Sequence, residues 1–256
     1  MFSDVELSLA YNAGNAPVKP FPYPHIYVPD VFPAAFYAEL QRNIPDPAAM
    51  IPIEQARPVK GYKERFVLEI AGEQVETLPE AKRKFWKDLS IWLLSGRFMN
   101  LMLQKFGPFL QQRFRNMPGV QFSNEAMLVE DITNYSLGPH TDSTRKALTF
   151  LFYLPKDTSQ SHLGTSIYVP RDGAFTCPGG PHYKFEDFQR VATMPFLPNT
   201  LFAFVKTDNS FHGVEPVVGP DTKRWLLLYD VYVKQSAQQQ QPLGVLQPAG
   251  NITFKM

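Results

Sequence analysis

The chain lacks most of what would announce a compartment, a membrane or a polyanionic partner. It has one cysteine, Cys177, in 256 residues, which excludes an internal disulfide and any thiolate zinc site. No apolar run is long enough to span a bilayer, and the polar amino terminus carries no signal-peptide pattern, so a cytoplasmic protein with no membrane association is expected. Lys and Arg number 25 against 24 Asp and Glu. The net charge of +1 therefore gives no electrostatic case for nucleic acid. Histidine is scarce too, with only five, and the spacing of two of them carries the functional argument.

What is present divides the chain into three stretches. Residues 1–117 read as mostly helical. Pro33 to Ile44 begins with proline at a helix-entry position and repeats Phe36, Leu40 and Ile44 at helical spacing. Thr77-x-x-Glu80 matches a capping box, with Ala81, Phe85, Leu89 and Trp92 along one face behind it. A further helix runs from about Arg97 to Phe114, interrupted at Gly107-Pro108. Residues 118–234 change period. Strands are predicted over Glu125–Tyr135, Ala147–Leu154, Thr165–Val169, Val191–Phe196, Thr200–Val205 and Arg224–Val233, punctuated by Gly, Pro, Asn and Asp. That pattern argues an antiparallel β sandwich or barrel braced by the helices, hence a mainly β fold with flanking helices in one domain. Residues 235–256, with Gln238 to Gln241 and Pro242, read as a weakly ordered tail.

Within the β stretch stands Gly138-Pro139-His140-Thr141-Asp142-Ser143, answered later by Phe211-His212-Gly213. Side chains two apart on an extended segment point the same way, so His140 and Asp142 can grip one metal while Thr141 turns aside. His212 closes a set of two imidazoles and one carboxylate, the facial ligand set that leaves other iron positions open. Taken singly, each histidine has a plainer reading: His140 as a turn residue after Gly-Pro, His212 as a strand-end ring on a backbone carbonyl. Arg224, at the head of the run Trp225-Leu226-Leu227-Leu228-Tyr229, adds a basic residue twelve positions beyond His212.

This order of parts, over roughly residues 120–234, resembles the Fe(II)/2-oxoglutarate-dependent oxygenases, particularly the prolyl-4-hydroxylase-like branch. The resemblance implies a double-stranded β-helix (jelly-roll) core over residues 118–234 that carries catalysis. It implies Fe(II) on His140, Asp142 and His212, 2-oxoglutarate as cosubstrate, O2 as co-reactant, and succinate and CO2 as products. Arg224 would then hold the distal carboxylate of 2-oxoglutarate, since a guanidinium fork suits a desolvated carboxylate. Tyr135 or Thr149 would add a hydrogen bond to it.

Other readings stay open. One is a metal-dependent oxygenase that does not use 2-oxoglutarate, and another is a non-catalytic jelly-roll binding protein. The expected substrate is a small molecule, with a peptidyl substrate as the other possibility, and oligomeric state is not legible. Residues Pro170 to Arg190, holding Cys177-Pro178-Gly179-Gly180-Pro181-His182, are expected to form a loop over the active-site mouth. Replacing Gly179 to His182 would then change substrate preference and leave iron and 2-oxoglutarate affinity intact.

Overall fold

The computed structural model describes residues 4–234; the Gln-rich tail lies outside the described residues. In the first part of the chain the elements are α1 (Asp4–Asn15), β1 (His25–Val28), α2 (Ala34–Arg42), β2 (Ile51–Pro52), α3 (Ile53–Ala56) and β3 (Arg65–Glu69). Three helices follow, α4 (Glu80–Leu93), α5 (Arg97–Lys105) and α6 (Gly107–Arg113). Next come β4 (Phe122–Ile132), β5 (Leu137–His140), β6 (Lys146–Tyr153) and β7 (Thr165–Pro170). The last four strands are β8 (Phe188–Met194), β9 (Thr200–Val205), β10 (His212–Val214) and β11 (Lys223–Val233).

The strands form a seven-stranded sheet ordered β1-β9-β6-β11-β4-β3-β2 and a four-stranded sheet ordered β5-β10-β7-β8. Every pairing is antiparallel. From β4 onward the chain passes between the sheets in the winding of a jelly roll: β4, β6, β9 and β11 lie in the large sheet and β5, β7, β8 and β10 in the small one. The expected core is therefore present. The amino-terminal stretch is not only helical, however. It also supplies β1, β2 and β3, which extend the large sheet at both edges.

Alternation along the strands separates two interiors. On β11, Leu227, Tyr229 and Val231 face the helices, together with Leu148, Phe150 and Phe152 of β6. Phe98 of α5 closes this layer, its ring 5.4 Å from Phe150 and 5.5 Å from Tyr229. The opposite face of the same strands, with Leu226, Leu151 and Tyr153, packs with Phe202 and Phe204 of β9 and with Val67, Val129 and Ile167 between the sheets. The helices thus cover the outside of one sheet, and the space between the sheets is left for the site. Two local expectations need correction. Thr77 makes no capping box: its hydroxyl donates to Gln74 O at 2.8 Å, and Pro79 occupies the cap of α4 with no side-chain bond. The helix α1 has no counterpart in the sequence reading, because only Glu6, Leu9 and Ala13 of it are buried. Among the described residues no helix is long and apolar enough to cross a membrane.

Candidate metal centre and its surroundings

The pairing of β5 with β10 sets His212 opposite His140, and the two ring centroids lie 4.3 Å apart. The strands approach closely here. A Cβ on Gly213 would meet Leu137 O at 2.6 Å, so this position requires glycine. Asp142 follows two residues after His140, and one ligand atom from each of His140, Asp142 and His212 falls within 4.8 Å of the others. All three side chains are buried. Thr141 turns away as alternation requires, donating its hydroxyl to Cys177 O at 2.8 Å.

Hydrogen bonds fix which ring nitrogen faces the centre. His140 Nδ1 lies 3.0 Å from Gly138 O, and His212 Nδ1 lies 2.9 Å from Ser210 O. A carbonyl can only accept, so Nδ1 carries the proton in both rings and Nε2 keeps its lone pair. Burial lowers the pKa of both imidazoles, and in His140 the neighbouring His212 lowers it further. Asp142 is the opposite case. Burial works to raise its pKa but is overcome by Lys146, then by His212, His140 and the Thr149 hydroxyl, which hold it well below the usual carboxylate range. Its Oδ1 meets Lys146 Nζ at 3.3 Å and its Oδ2 accepts from Thr149 Oγ1 at 2.7 Å. Lys146 reaches on to Asp230 Oδ2 at 3.0 Å. Burial pushes the Asp230 carboxyl up to about 6, with Lys146 opposing and Asp142 adding. Two neutral imidazoles and an ionised carboxylate, converging in a buried position, suit Fe(II).

A second polar cluster is built by register. Asp131 on β4 is paired with Arg224 of β11 on one side and Arg65 of β3 on the other. Arg65 grips Asp131 bidentately, Nε to Oδ1 at 2.6 Å and Nη2 to Oδ2 at 3.0 Å. Arg224 donates from Nη1 to Asp131 Oδ2 at 2.7 Å, from Nε to Leu163 O at 2.7 Å, and from Nη2 to Thr165 Oγ1 at 3.3 Å. Lys223 beside it points outward and pairs with Glu130 at 3.2 Å. Two guanidiniums around one carboxylate leave the cluster with an unbalanced positive charge. The Tyr135 ring lies beneath Arg65, 4.4 Å from the guanidinium carbon to the ring centroid. The hydroxyls of Tyr135 and Tyr23 are buried and have no hydrogen-bond partner among the described residues. Burial raises the pKa of both phenols, so each keeps its proton to donate.

Of the residues proposed from sequence as cosubstrate contacts, the structure gathers Arg224 and Tyr135 around this cluster and places Thr149 elsewhere. The one hydrogen of the Thr149 hydroxyl is committed to Asp142. Arg65 and Asp131 were not singled out in the sequence, and only the strand register reveals them. Among the other histidines, His25 is buried on β1 with Nδ1 2.8 Å from Tyr23 O, and His162 is exposed. His182 does approach the triad. Its ring centroid is 4.6 Å from that of His140, and Tyr62 Oη lies 2.8 Å from its Nε2. Its segment is fastened to the ligand strand, since Tyr183 N donates to Pro139 O at 2.9 Å. A Cβ on Gly179, whose φ is +137°, would lie 2.5 Å from Asp142 O. A side chain at Gly179 therefore requires either this loop or the backbone of Asp142 to shift.

No family model matches the chain, and no curated protein matches it. Among solved structures, a prolyl-4-hydroxylase from Pseudomonas putida aligns over 89% of this chain and 98% of its own at 16% identity, with a TM-score of 0.48. The non-heme alpha ketoglutarate dependent carbocyclase SnoK from nogalamycin biosynthesis aligns over 99% of this chain and 94% of its own at 12% identity, with a TM-score of 0.49. An oxidoreductase of the 2OG-Fe(II) oxygenase family from Burkholderia pseudomallei aligns over 81% and 84% at 16% identity, with a TM-score of 0.45. Likeness at this level does not carry over any chemistry, which has to come from the side chains.

Proposed function

We propose that the protein is a non-haem Fe(II)/2-oxoglutarate-dependent dioxygenase that hydroxylates a C–H bond of a small molecule, releasing succinate and CO2. The observation that carries this reading is the convergence of two Nε2 lone pairs and one ionised carboxylate within 4.8 Å in a buried position. His140, Asp142 and His212 would hold the iron, with Gly138 O and Ser210 O orienting the rings and Thr149 and Lys146 orienting the carboxylate. With Fe(II), 2-oxoglutarate and O2 bound, such a centre couples oxidative decarboxylation of the 2-oxo acid to oxidation of a substrate C–H bond.

The residues present fit a dicarboxylate as well as a metal. The surplus positive charge of the Arg65–Asp131–Arg224 cluster and the orphaned Tyr135 hydroxyl offer partners that a carboxylate would satisfy. Arg224 and Tyr135, the contacts that the resemblance implied, both belong to the surroundings of this cluster. A small substrate fits the burial of all three ligands and the chain's near-neutral charge.

The test is an anaerobic titration of metal-free protein with Fe(II) and then 2-oxoglutarate, followed by the visible charge-transfer band of the chelate. The band is expected in the wild type and absent in Asp142→Ala, which should stay folded. Iron binding without a band would favour an oxygenase that does not use 2-oxoglutarate. Absence of iron binding would leave a non-catalytic jelly roll.

A further inference from the structure

Arg224 and Arg65 share Asp131 but are not equally available. Arg224 already commits three of its five N–H donors to protein acceptors, and its side chain is 1% exposed. Arg65 directs only Nε and Nη2 at Asp131, and among the described residues its Nη1 has no hydrogen-bond partner. Its side chain keeps 13% exposure, so it is the member of the cluster that a ligand entering from solvent can reach. It stands over the Tyr135 ring, whose hydroxyl is one of the orphaned donors. A relay of contacts also links it to the metal centre. Its backbone N–H donates to Tyr62 O at 3.1 Å, the Tyr62 hydroxyl lies 2.8 Å from His182, and His182 packs on His140.

The cluster's charge argues the same way. Asp131 can neutralise one guanidinium, so a buried positive charge remains, and burying an uncompensated charge is strongly unfavourable. One incoming carboxylate closes the balance. A guanidinium with a free nitrogen beside a phenol O–H supplies the donors such a group needs.

We propose that Arg65, which reaches the site from β3 outside the jelly-roll core, binds the distal carboxylate of the 2-oxo acid together with the Tyr135 hydroxyl. In this arrangement Arg224 and Asp131 are the fixed frame on which Arg65 is aimed. The inference rests on the dioxygenase reading above and deepens it, because the carboxylate anchor then belongs to the amino-terminal extension and not to the strand that follows His212.

Removing Arg65 leaves Arg224 and Asp131 as a balanced pair, so Arg65→Gln creates no unpaired buried charge. The readout is the dissociation constant, measured anaerobically on the Fe(II)-loaded protein by calorimetry, for 2-oxoglutarate and for 2-oxobutyrate. The second ligand has the same metal-chelating end and no distal carboxylate. Wild type should prefer 2-oxoglutarate. Arg65→Gln should weaken 2-oxoglutarate by about tenfold or more while leaving 2-oxobutyrate nearly unchanged, as expected when one partner of a desolvated charge pair is lost. Arg65→Lys, which keeps the charge without the fork, should fall between the two and serves if the glutamine variant is poorly folded.

A preference for 2-oxoglutarate in Arg65→Gln equal to that of the wild type would overturn the assignment while leaving the dioxygenase reading intact. Equal weakening of both ligands would also overturn it, since that marks a structural role. A wild type that binds Fe(II) but neither 2-oxo acid would remove the dioxygenase reading and this inference with it.

Discussion

Thr149 decides between two uses of one hydroxyl. The resemblance of the motifs implied that either it or Tyr135 contacts 2-oxoglutarate, whereas the structure has Thr149 donating to Asp142 Oδ2 at 2.7 Å in a buried position. Thr149→Val removes the donor at nearly constant volume, though it leaves a carboxylate oxygen without that partner. A hydrogen bond to a charged group contributes about 1.5–3 kcal/mol, and about 1.4 kcal/mol is a factor of ten in affinity. Because Lys146 still holds Oδ1 at 3.3 Å, the lower end applies, and metal affinity should fall by roughly tenfold, in the range known for groups that orient metal ligands. The assay is anaerobic titration with Fe(II), repeated with Mn(II), followed by 2-oxoglutarate on the metal-saturated protein. Thr149→Ser keeps the hydroxyl and should stay close to the wild type. The reasoning is refuted if Thr149→Val binds metal as the wild type does and instead loses affinity for 2-oxoglutarate.

Two further outcomes follow from the geometry. The metal-free protein should lose stability as the pH falls below about 6.5, because buried His140 and His212 refuse protons that the unfolded imidazoles accept. Asp230, pushed up to about 6, acts in the opposite sense: its native carboxyl is protonated where the unfolded one is ionised, so its unfavourable contribution at neutral pH is relieved on acidification. Melting temperatures between about pH 7.5 and about pH 5 should therefore fall, and Asp230→Asn should steepen the fall; a flat profile would contradict the histidine assignment. Gly213→Ala, which drives a Cβ to 2.6 Å from Leu137 O, should part β5 from β10 and cut metal affinity well over tenfold. Retained affinity in that variant would mean that the strand pairing does not set the ligand spacing.

The jelly-roll strands were legible because their side chains have two distinct destinations. On β11, Leu226 packs between the sheets while Leu227 and Tyr229 meet the helices, and this alternation survives as an apolar run bounded by turn residues. The convergence of His140, Asp142 and His212 was legible because a facial metal site would need the first two at a fixed offset and tolerate a long gap to the third. Arg65 was not legible. It lies on a five-residue strand outside the core, and nothing local marks its carboxylate partner, which the register of β3 on β4 brings from 66 positions away. Thr149 was found but given a different partner, because a sequence says that a hydroxyl is near a site without saying which acceptor it meets. The capping box at Thr77 failed for a similar reason, since Gln74 O, one turn back, captured the hydroxyl.

The pairing of β5 with β10 has a consequence for the small sheet. β5 is four residues long and lies at the margin of the small sheet. An ion held by His140 and His212 would clasp that margin to its neighbour across 72 positions of chain (212 − 140 = 72). Because metal binding would add to the free energy of the folded state, a filled centre would also secure the edge of the small sheet.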